Sequence, residues 1–250
     1  MTSNSHSWKS SCCADRGGAL DIARRAFRRL VFIIALLVPS GIVHAQQSVS
    51  FRAADGALIY ADQYGSGARG VVLAHGGRFN KESWRDQAQS LVAAGFHVLA
   101  FDFRGFGKSQ GPGQADLDTA PLKLDVLAAI AYLRQHGAQS IDVIGASMGG
   151  SAAGAAIIGS PPGLVHRLVL LGTAPDGDAA QLKCPSLFIV ARDDANDDGP
   201  RLPRIRVQYE KAPEPKRLVI VDGSAHAQFM FRSAQGARVM REIMRFLQAP

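Results

Sequence analysis

Short apolar segments recur along the chain from residue 70 onward and constrain its fold more than any other feature of the sequence. Their length suits strands that are buried on both faces of a parallel sheet. Helical patterns lie between most of them, and strands that alternate with helices predict an α/β, doubly wound domain with a mostly parallel sheet. The predicted strands comprise residues 70–74, 97–103, 140–144, 167–171, 186–190 and 217–221.

An antiparallel hairpin is predicted at the start of this sheet. Two β-prone segments, residues 48–52 and 57–64, flank the turn Ala54-Asp55-Gly56, and an Asp-Gly turn in this setting is typical of a hairpin. With the hairpin, the sheet has about eight strands. Helices are predicted over residues 83–94, where Ser83 is the expected N-cap, and over residues 121–136 and 234–247.

The connection between two of the later strands is short. Only residues 172–185 separate them, at the place where many proteins of this architecture insert a helical lid. We therefore predict a site without a large lid domain.

The first 45 residues differ from the rest and predict a secretory signal peptide. Four arginines precede an apolar run over residues 30–38, and a small-x-small cleavage site ends at Ala45. The apolar run is much shorter than the ~20 residues that a bilayer-spanning helix needs, which disfavours a membrane anchor. We expect one exported domain, residues 46–250, that is periplasmic or extracellular and not inserted in a membrane. The arginines are Arg24, Arg25, Arg28 and Arg29, and the first two also resemble a twin-arginine export signal.

The charge balance argues against a nucleic-acid partner. The formal net charge of the whole chain is +7, but the predicted leader holds six of the basic and two of the acidic residues. Residues 46–250 have 22 basic and 19 acidic side chains, a balance of +3. The sequence shows no basic cluster interleaved with aromatic residues, so we predict no binding of nucleic acid.

Residues 145–149, Gly-Ala-Ser-Met-Gly, follow an apolar strand and precede a stretch of small residues. A serine on a sharp turn between a strand and a helix needs glycines beside it, because a β-carbon there would collide with the neighbouring chain. The pattern favours Ser147 as a nucleophile. The alternative is an ordinary strand-to-helix turn that is rich in small residues.

A serine nucleophile needs an imidazole to accept its proton and a carboxylate to orient that imidazole. His226 is the preferred base, because it follows the last predicted strand and precedes the closing helix. The acid is expected in the loop after residues 186–190, where Asp194 is the first choice and Asp193 the alternative. The chain order Ser, Asp, His is the order expected for a nucleophile elbow in this architecture.

The same aspartate-rich loop has a competing interpretation as a calcium site. Its residues fit the first half of a calcium loop, but the twelfth position is Ile205 and the bidentate glutamate is missing. We predict no metal and no cofactor. The four matching positions are Asp194, Asn196, Asp198 and Gly199.

The oxyanion of a tetrahedral intermediate needs backbone donors, and two positions fit. The N–H of Met148 directly follows the predicted nucleophile, and the N–H of Gly77 lies just past a strand end, where glycines let a substrate approach closely. Arg78 and Phe79 are predicted to line the substrate pocket. Phe79 and Trp84 belong either to the wall of the acyl pocket or to the core. His75 is interpreted as a structural residue that hydrogen-bonds loop backbone.

These motifs together resemble the α/β-hydrolase superfamily over residues 51–247. They occur in the family's order, each in its expected strand context. They are His75-Gly76-Gly77, the string Asp102-Phe103-Arg104-Gly105-Phe106-Gly107-Lys108-Ser109, the elbow at Ser147, the acid loop, and Gly223-Ser224-Ala225-His226. The resemblance implies that the string at residues 102–109 shapes the floor of the site.

The resemblance also implies a lidless serine esterase that cleaves a small-molecule carboxylic ester and forms an acyl-enzyme on Ser147. The same triad would serve a peptidase, a lactone hydrolase or an acyltransferase. Lactone hydrolases of the dienelactone type usually carry cysteine at the elbow, whereas this chain has serine. A non-catalytic binding protein on a hydrolase scaffold is the remaining alternative.

Overall fold

An eight-stranded sheet runs through the centre of the domain, in the order β1-β2-β4-β3-β5-β6-β7-β10. The computed structural model describes residues 46–249, so the predicted signal peptide lies outside the described residues. Two further short strands, β8 and β9, form a separate ribbon. The strands are β1 (Gln47–Arg52), β2 (Leu58–Tyr64), β3 (Arg69–Ala74), β4 (His97–Phe101), β5 (Ser140–Ala146), β6 (Arg167–Leu171), β7 (Ser186–Ala191), β8 (Ala195–Asn196), β9 (Gly199–Pro200) and β10 (Lys216–Val221).

The predicted hairpin and the mostly parallel sheet are both confirmed. Strands β1 and β2 pair antiparallel, and β2 pairs antiparallel with β4. All other neighbours in the large sheet are parallel. The carboxyl ends of the parallel strands therefore meet at one edge, which is where such sheets build their binding sites.

Five α-helices of the described residues cover the two faces of the sheet. Helices α2, α3 and α4 pack in one apolar core, and α1 and α5 pack in the other. None of the helices within residues 46–249 combines the length and the apolar character that crossing a membrane requires. They are α1 (Arg85–Ala93), α2 (Lys123–Gln135), α3 (Met148–Ile158), α4 (Arg201–Lys211) and α5 (Gly236–Leu247).

The N-cap of the first helical segment and the presence of α4 differ from the sequence prediction. Asn80, not Ser83, caps the first helical segment, because its side chain accepts a hydrogen bond from the Ser83 N–H at 3.2 Å. That segment begins as a 3-10 turn, and the α-helix itself starts at Arg85. Helix α4 was not predicted. Its first turn contains Pro203, which is tolerated there because the first N–H groups of a helix need no intrahelical partner.

Strand β4 ends two residues earlier than predicted, at Phe101. The chain leaves the sheet there because the Phe103 N–H donates to His75 Nε2 at 3.2 Å. The segment between β6 and β7 holds one 3-10 turn, Ala179–Gln181, and no large lid is present in the described part of the chain.

Arg104 is a buried structural residue within the string at residues 102–109. Its guanidinium is fully buried and lies 2.7 Å from the buried carboxylate of Asp125. It also contacts Asp55 in the turn of the N-terminal hairpin, with Nη2 and Oδ1 3.1 Å apart. A buried charge is tolerated only when it is paired, so this ion pair ties the hairpin, the 102–109 segment and α2 together.

Candidate active site

Ser147 occupies the sharp turn between β5 and α3. Its φ of 48° and ψ of −120° lie outside the ordinary regions for a residue with a side chain, and such strain is concentrated at functional sites. The turn is held by a hydrogen bond from the Ser147 N–H to the Leu171 carbonyl at 3.0 Å. The side chain is thereby presented at the carboxyl edge of the sheet.

The two glycines of the elbow leave no room for a side chain. A β-carbon at Gly145 would lie 2.5 Å from the Cα of Gly150, and one at Gly149 would lie 2.4 Å from the Ala74 carbonyl oxygen. Both neighbours are backbone atoms that cannot rotate away. This close approach is the physical reason for the glycine spacing seen in the sequence.

We expect Gly149→Ala to lower the free energy of unfolding by at least about 2 kcal/mol, because overpacking against backbone forces the strand and helix apart. Urea unfolding of the purified variant measures this change. Gly159→Ala, at the other end of α3, is the matched control: its φ is −76° and its nearest neighbour would be 3.4 Å away. Equal stability of the two variants would contradict the packing argument.

The predicted nucleophile, base and acid come from distant parts of the chain and form one hydrogen-bonded series. His226 Nε2 lies 2.8 Å from Ser147 Oγ, and His226 Nδ1 lies 2.7 Å from Asp194 Oδ2. Because a carboxylate can only accept, Nδ1 carries the proton and donates it, which leaves Nε2 free to accept from the serine hydroxyl. The arrangement is a continuous chain of hydrogen bonds from serine to carboxylate.

The structure places Asp194, not the alternative Asp193, at the imidazole. Asp194 is 1% exposed, whereas Asp193 faces solvent. Within residues 46–249, the carboxylate of Asp193 has no hydrogen bond or ion pair, whereas that of Asp194 pairs with His226. The backbone carbonyl of Asp194 accepts from the Arg201 N–H at 2.8 Å. Arg201 Nε also lies 3.3 Å from Asp194 Oδ1, close enough for an ion pair but not aligned for a hydrogen bond.

The loop after β7 does not gather its oxygens around a common point. Asp194 faces His226 and Arg201, while Asn196 Oδ1 and Asp198 Oδ2 lie 2.6 and 3.5 Å from guanidinium nitrogens of Arg204. The competing calcium interpretation therefore lacks a convergent set of ligands.

The two predicted oxyanion donors are chain neighbours of atoms at the elbow: Met148 follows Ser147, and Gly77 follows Gly76, where a β-carbon would lie 3.4 Å from Ser147 Cβ. Met148 is the first residue of α3, so its N–H has no intrahelical partner and points from the positive end of the helix dipole. Across residues 46–249, the Gly77 N–H donates to no other residue. A β-carbon at Gly77 would be 3.8 Å from Met148 Sδ, so the two positions are in contact range.

Gln228 holds the loop that carries Gly77, a role that no sequence motif indicated. Its side chain is 3% exposed; Oε1 accepts from the Gly76 N–H and Nε2 donates to Ser83 Oγ, both at 2.8 Å. The only signal in the sequence was its position two residues after His226. These bonds join the loop after β3 to the loop after β10.

His75 is a structural residue, as predicted. Its ring is fully buried, and burial lowers its pKa to about 4. Since Nε2 accepts from the Phe103 N–H, Nδ1 carries the proton and donates to the Gly76 carbonyl at 2.9 Å. A neutral imidazole whose two ring nitrogens are both hydrogen-bonded to backbone holds the loop in place. It has no free nitrogen for proton transfer.

Two cavities adjoin the predicted oxyanion donors. The α3 cavity, about 840 Å³, is lined by Ser147, by Met148 and later residues of α3, and by residues 117–123, among others. The arginine cavity, about 710 Å³, is lined by Gly77, Arg78, Phe79, Phe106, Phe229 and Arg232, among others. The predicted pocket residues Arg78 and Phe79 thus lie in a cavity, whereas Trp84 is fully buried in the core.

A family model described as the alpha/beta hydrolase fold matches residues 70–205, more than half of the chain. The chain belongs to the α/β-hydrolase family. It is therefore a member of a family of hydrolases.

Among curated proteins, the chain is 32% identical over 123 residues to a non-heme haloperoxidase of Rhodococcus erythropolis. It is 32% identical over 135 residues to a 2-hydroxy-6-oxononadienedioate/2-hydroxy-6-oxononatrienedioate hydrolase of Cupriavidus pinatubonensis. These matches cover 49% and 51% of this chain. They span only 43% and 44% of the two relatives, so less than half of each relative is matched.

Solved structures give the same fold. An esterase of Pyrococcus furiosus superimposes with a TM-score of 0.65 at 18% identity and covers 82% of this chain and 91% of its own. A dienelactone hydrolase of Anabaena variabilis gives a TM-score of 0.66 at 21% identity, covering 82% and 97%. At these identities the similarity establishes the architecture, and the reaction has to be argued from the site.

Proposed function

We propose that this α/β-hydrolase is a serine hydrolase that cleaves carboxylic esters through an acyl-enzyme. The observation that carries the proposal is the hydrogen-bonded series from Ser147 Oγ through His226 to Asp194. A serine hydroxyl becomes a useful nucleophile only when an oriented imidazole takes its proton, and this series provides that imidazole.

In the first half of the proposed reaction, Ser147 Oγ attacks the ester carbonyl carbon while His226 Nε2 takes its proton. The carbonyl oxygen becomes an oxyanion that accepts hydrogen bonds from the N–H groups of Gly77 and Met148. The imidazolium then gives its proton to the leaving alcohol oxygen, and the C–O bond breaks. Ser147 is left as an acyl ester.

In the second half, water attacks the acyl carbon and His226 takes the water proton. The tetrahedral intermediate collapses, Ser147 recovers its proton from His226, and the acid is released. Asp194 stays ionised throughout and holds the imidazole in the tautomer with the proton on Nδ1.

Labelling with a fluorophosphonate probe tests the proposal directly. We expect stoichiometric labelling of the folded protein, with the modified peptide containing Ser147, and turnover of short p-nitrophenyl esters. A folded protein that neither reacts with the probe nor hydrolyses the esters would support the alternative of a non-catalytic binding protein.

The same triad would serve a peptidase, a lactone hydrolase or an acyltransferase. These reactions differ in the bond that is cleaved and in the molecule, water or another acceptor, that takes the acyl group. Turnover of matched amide, lactone and ester substrates, with and without an added alcohol acceptor, separates these reactions. We favour the ester over the amide because resonance with nitrogen makes an amide carbonyl less electrophilic, so an ester demands less from a site open to solvent.

We also propose that the protein is exported, on the basis of its arginine-rich leader and the small-x-small site that ends at Ala45. Cleavage after Ala45 would make Gln46 the first residue. N-terminal sequencing of protein recovered outside the cytoplasm checks this, and an intact N-terminus there would contradict it.

A further inference from the structure

Each of the two predicted oxyanion donors lines a different cavity. Met148, with Ser147, lines the α3 cavity, and Gly77 lines the arginine cavity. An ester whose carbonyl oxygen accepts from both N–H groups can therefore extend its acyl part into one cavity and its alcohol part into the other.

The position of His226 decides which part enters which cavity. The leaving oxygen takes its proton from His226, so the alcohol part lies on the side of the loop that carries this residue. That loop continues into the arginine cavity: the Phe229 N–H donates to the His226 carbonyl at 2.9 Å, and Phe229 and Arg232 line the cavity. The alcohol part therefore faces the arginine cavity.

The arginine cavity carries two guanidinium groups without a protein counter-ion. Arg78 and Arg232 are both exposed, and neither pairs with a carboxylate anywhere in residues 46–249. The one carboxylate that lines the cavity, Glu82, pairs with Lys81, which also pairs with Asp62. Two guanidinium groups against one carboxylate leave the lining of the cavity with a net positive charge that can attract a bound anion.

An aromatic surface lies in the same cavity as the two arginines. The rings of Phe79 and Phe229 are 4.7 Å apart at 59°, and the guanidinium carbon of Arg232 is 5.6 Å from the Phe79 ring centroid. Phe229 is 37% exposed, and Phe79 is half-buried. Accessible aromatic rings that share a cavity with unpaired guanidinium groups suit a flat apolar group with an anion at its edge.

We propose that the arginine cavity selects esters whose alcohol part is an aromatic or similarly flat group bearing an anion, a carboxylate or a sulfonate. The inference rests on the proposed esterase reaction, since it assigns a substrate class to the same site. Arg78 and Arg232 are the residues that recognise the anion, and Phe79 and Phe229 contact the ring.

Two nearly isosteric esters test the charge alone. The ratio of kcat/KM for 4-acetoxybenzoate to that for 4-acetoxybenzamide is measured in the parent protein, in Arg78→Gln and in Arg232→Gln. We expect this ratio to fall about tenfold in each variant, because a charge-assisted hydrogen bond is lost only with the anionic ester. The matched control, Arg206→Gln, removes an exposed arginine on α4 outside the cavity and should leave the ratio unchanged.

Two further arms test the orientation and the kind of anion. With 4-nitrophenyl hemisuccinate, whose charge lies on the acyl part, the two arginine variants should lose no more than they lose with the neutral 4-nitrophenyl butyrate. A larger loss there would overturn the assignment of the alcohol part. A similar fall with 4-acetoxybenzenesulfonate would support recognition of anions in general, and a fall with the carboxylate alone would support a planar, bidentate contact.

A binding measurement separates this inference from the esterase proposal. Titration of the Ser147→Ala protein with 4-hydroxybenzoate should show binding that weakens about tenfold when Arg78→Gln or Arg232→Gln is added. The neutral 4-hydroxybenzamide should bind equally weakly to all three proteins.

The outcomes separate the two proposals. If the neutral esters are hydrolysed but neither arginine affects the kcat/KM ratio or the binding, the anion site is wrong and the esterase proposal stands. If no ester is hydrolysed but arginine-dependent binding is seen, the anion site stands and the esterase is wrong. If the kcat/KM ratio falls equally in Arg206→Gln, the effect comes from the overall charge of the protein and the anion site is wrong.

Discussion

Ser147→Ala is expected to lower kcat for short p-nitrophenyl esters by a factor on the order of 10⁴ to 10⁶, because the oxyanion donors alone retain only a small part of the catalysis. Alanine keeps the β-carbon and removes only Oγ. The turn at φ 48° therefore has the same steric demands in the variant, and the fold should persist. Steady-state kinetics measure the loss, and urea unfolding shows whether the protein is still native.

Ser90→Ala is the matched control for this variant. Ser90 lies on the exposed side of α1, and its hydroxyl donates to the Asp86 carbonyl at 2.9 Å. We expect its activity to stay within about twofold of the parent, since surface substitutions away from special features change little. More than a few per cent residual activity in folded Ser147→Ala would contradict the nucleophile assignment.

The second large effect is expected from Asp194→Asn, which should reduce kcat by about 10⁴. Asparagine has the same shape but can donate toward His226 Nδ1, and this stabilises the tautomer with its proton on Nε2. That tautomer cannot accept the proton of Ser147. The position is 1% exposed, so bulk water offers no substitute partner for the imidazole.

Asp193→Asn is a matched control, because it makes the same chemical change one residue earlier. Its carboxylate faces solvent, and its N–H is the group that contacts the protein, donating to the Gly223 carbonyl at 3.0 Å. We expect kcat within about threefold of the parent, as is usual for a surface substitution. A larger loss in Asp193→Asn than in Asp194→Asn would reverse the assignment of the acid.

Features that depend on local pattern were predictable from the sequence. The Asp-Gly turn indicated the hairpin, because Gly56 has the positive φ of 87° that closes such a turn at little steric cost. The apolar segments fixed the parallel sheet, since strands buried on both faces show continuous apolar character. The glycines at 145 and 149 indicated the elbow, because only a residue without a side chain fits against Gly150 and Ala74. Each of these signals lies within a few residues of the structure that it specifies.

Prediction from local pattern failed where one segment carried signals for two different structures, such as a turn and a helix. Helix α4 follows an aspartate-rich loop and contains Pro203, and both features are more typical of a turn than of a helix. The N-cap at Ser83 is wrong because serine and asparagine are both good N-caps. Only the extended backbone conformation of Asn80 shows that Asn80, and not Ser83, is the cap.

The sequence by itself determined the order of strands and helices, the elbow and a short set of candidate residues on the loops at the sheet edge. Only the tertiary structure brought His226 to Ser147 across 79 residues and to Asp194, rather than Asp193, across 32. It also revealed the bond from Gly76 to Gln228, 152 residues apart, and the cavity shared by Arg78 and Arg232. The physical reason is that the periodicity of a segment specifies its own conformation, whereas the direction of a loop side chain depends on packing between segments that are distant in the chain.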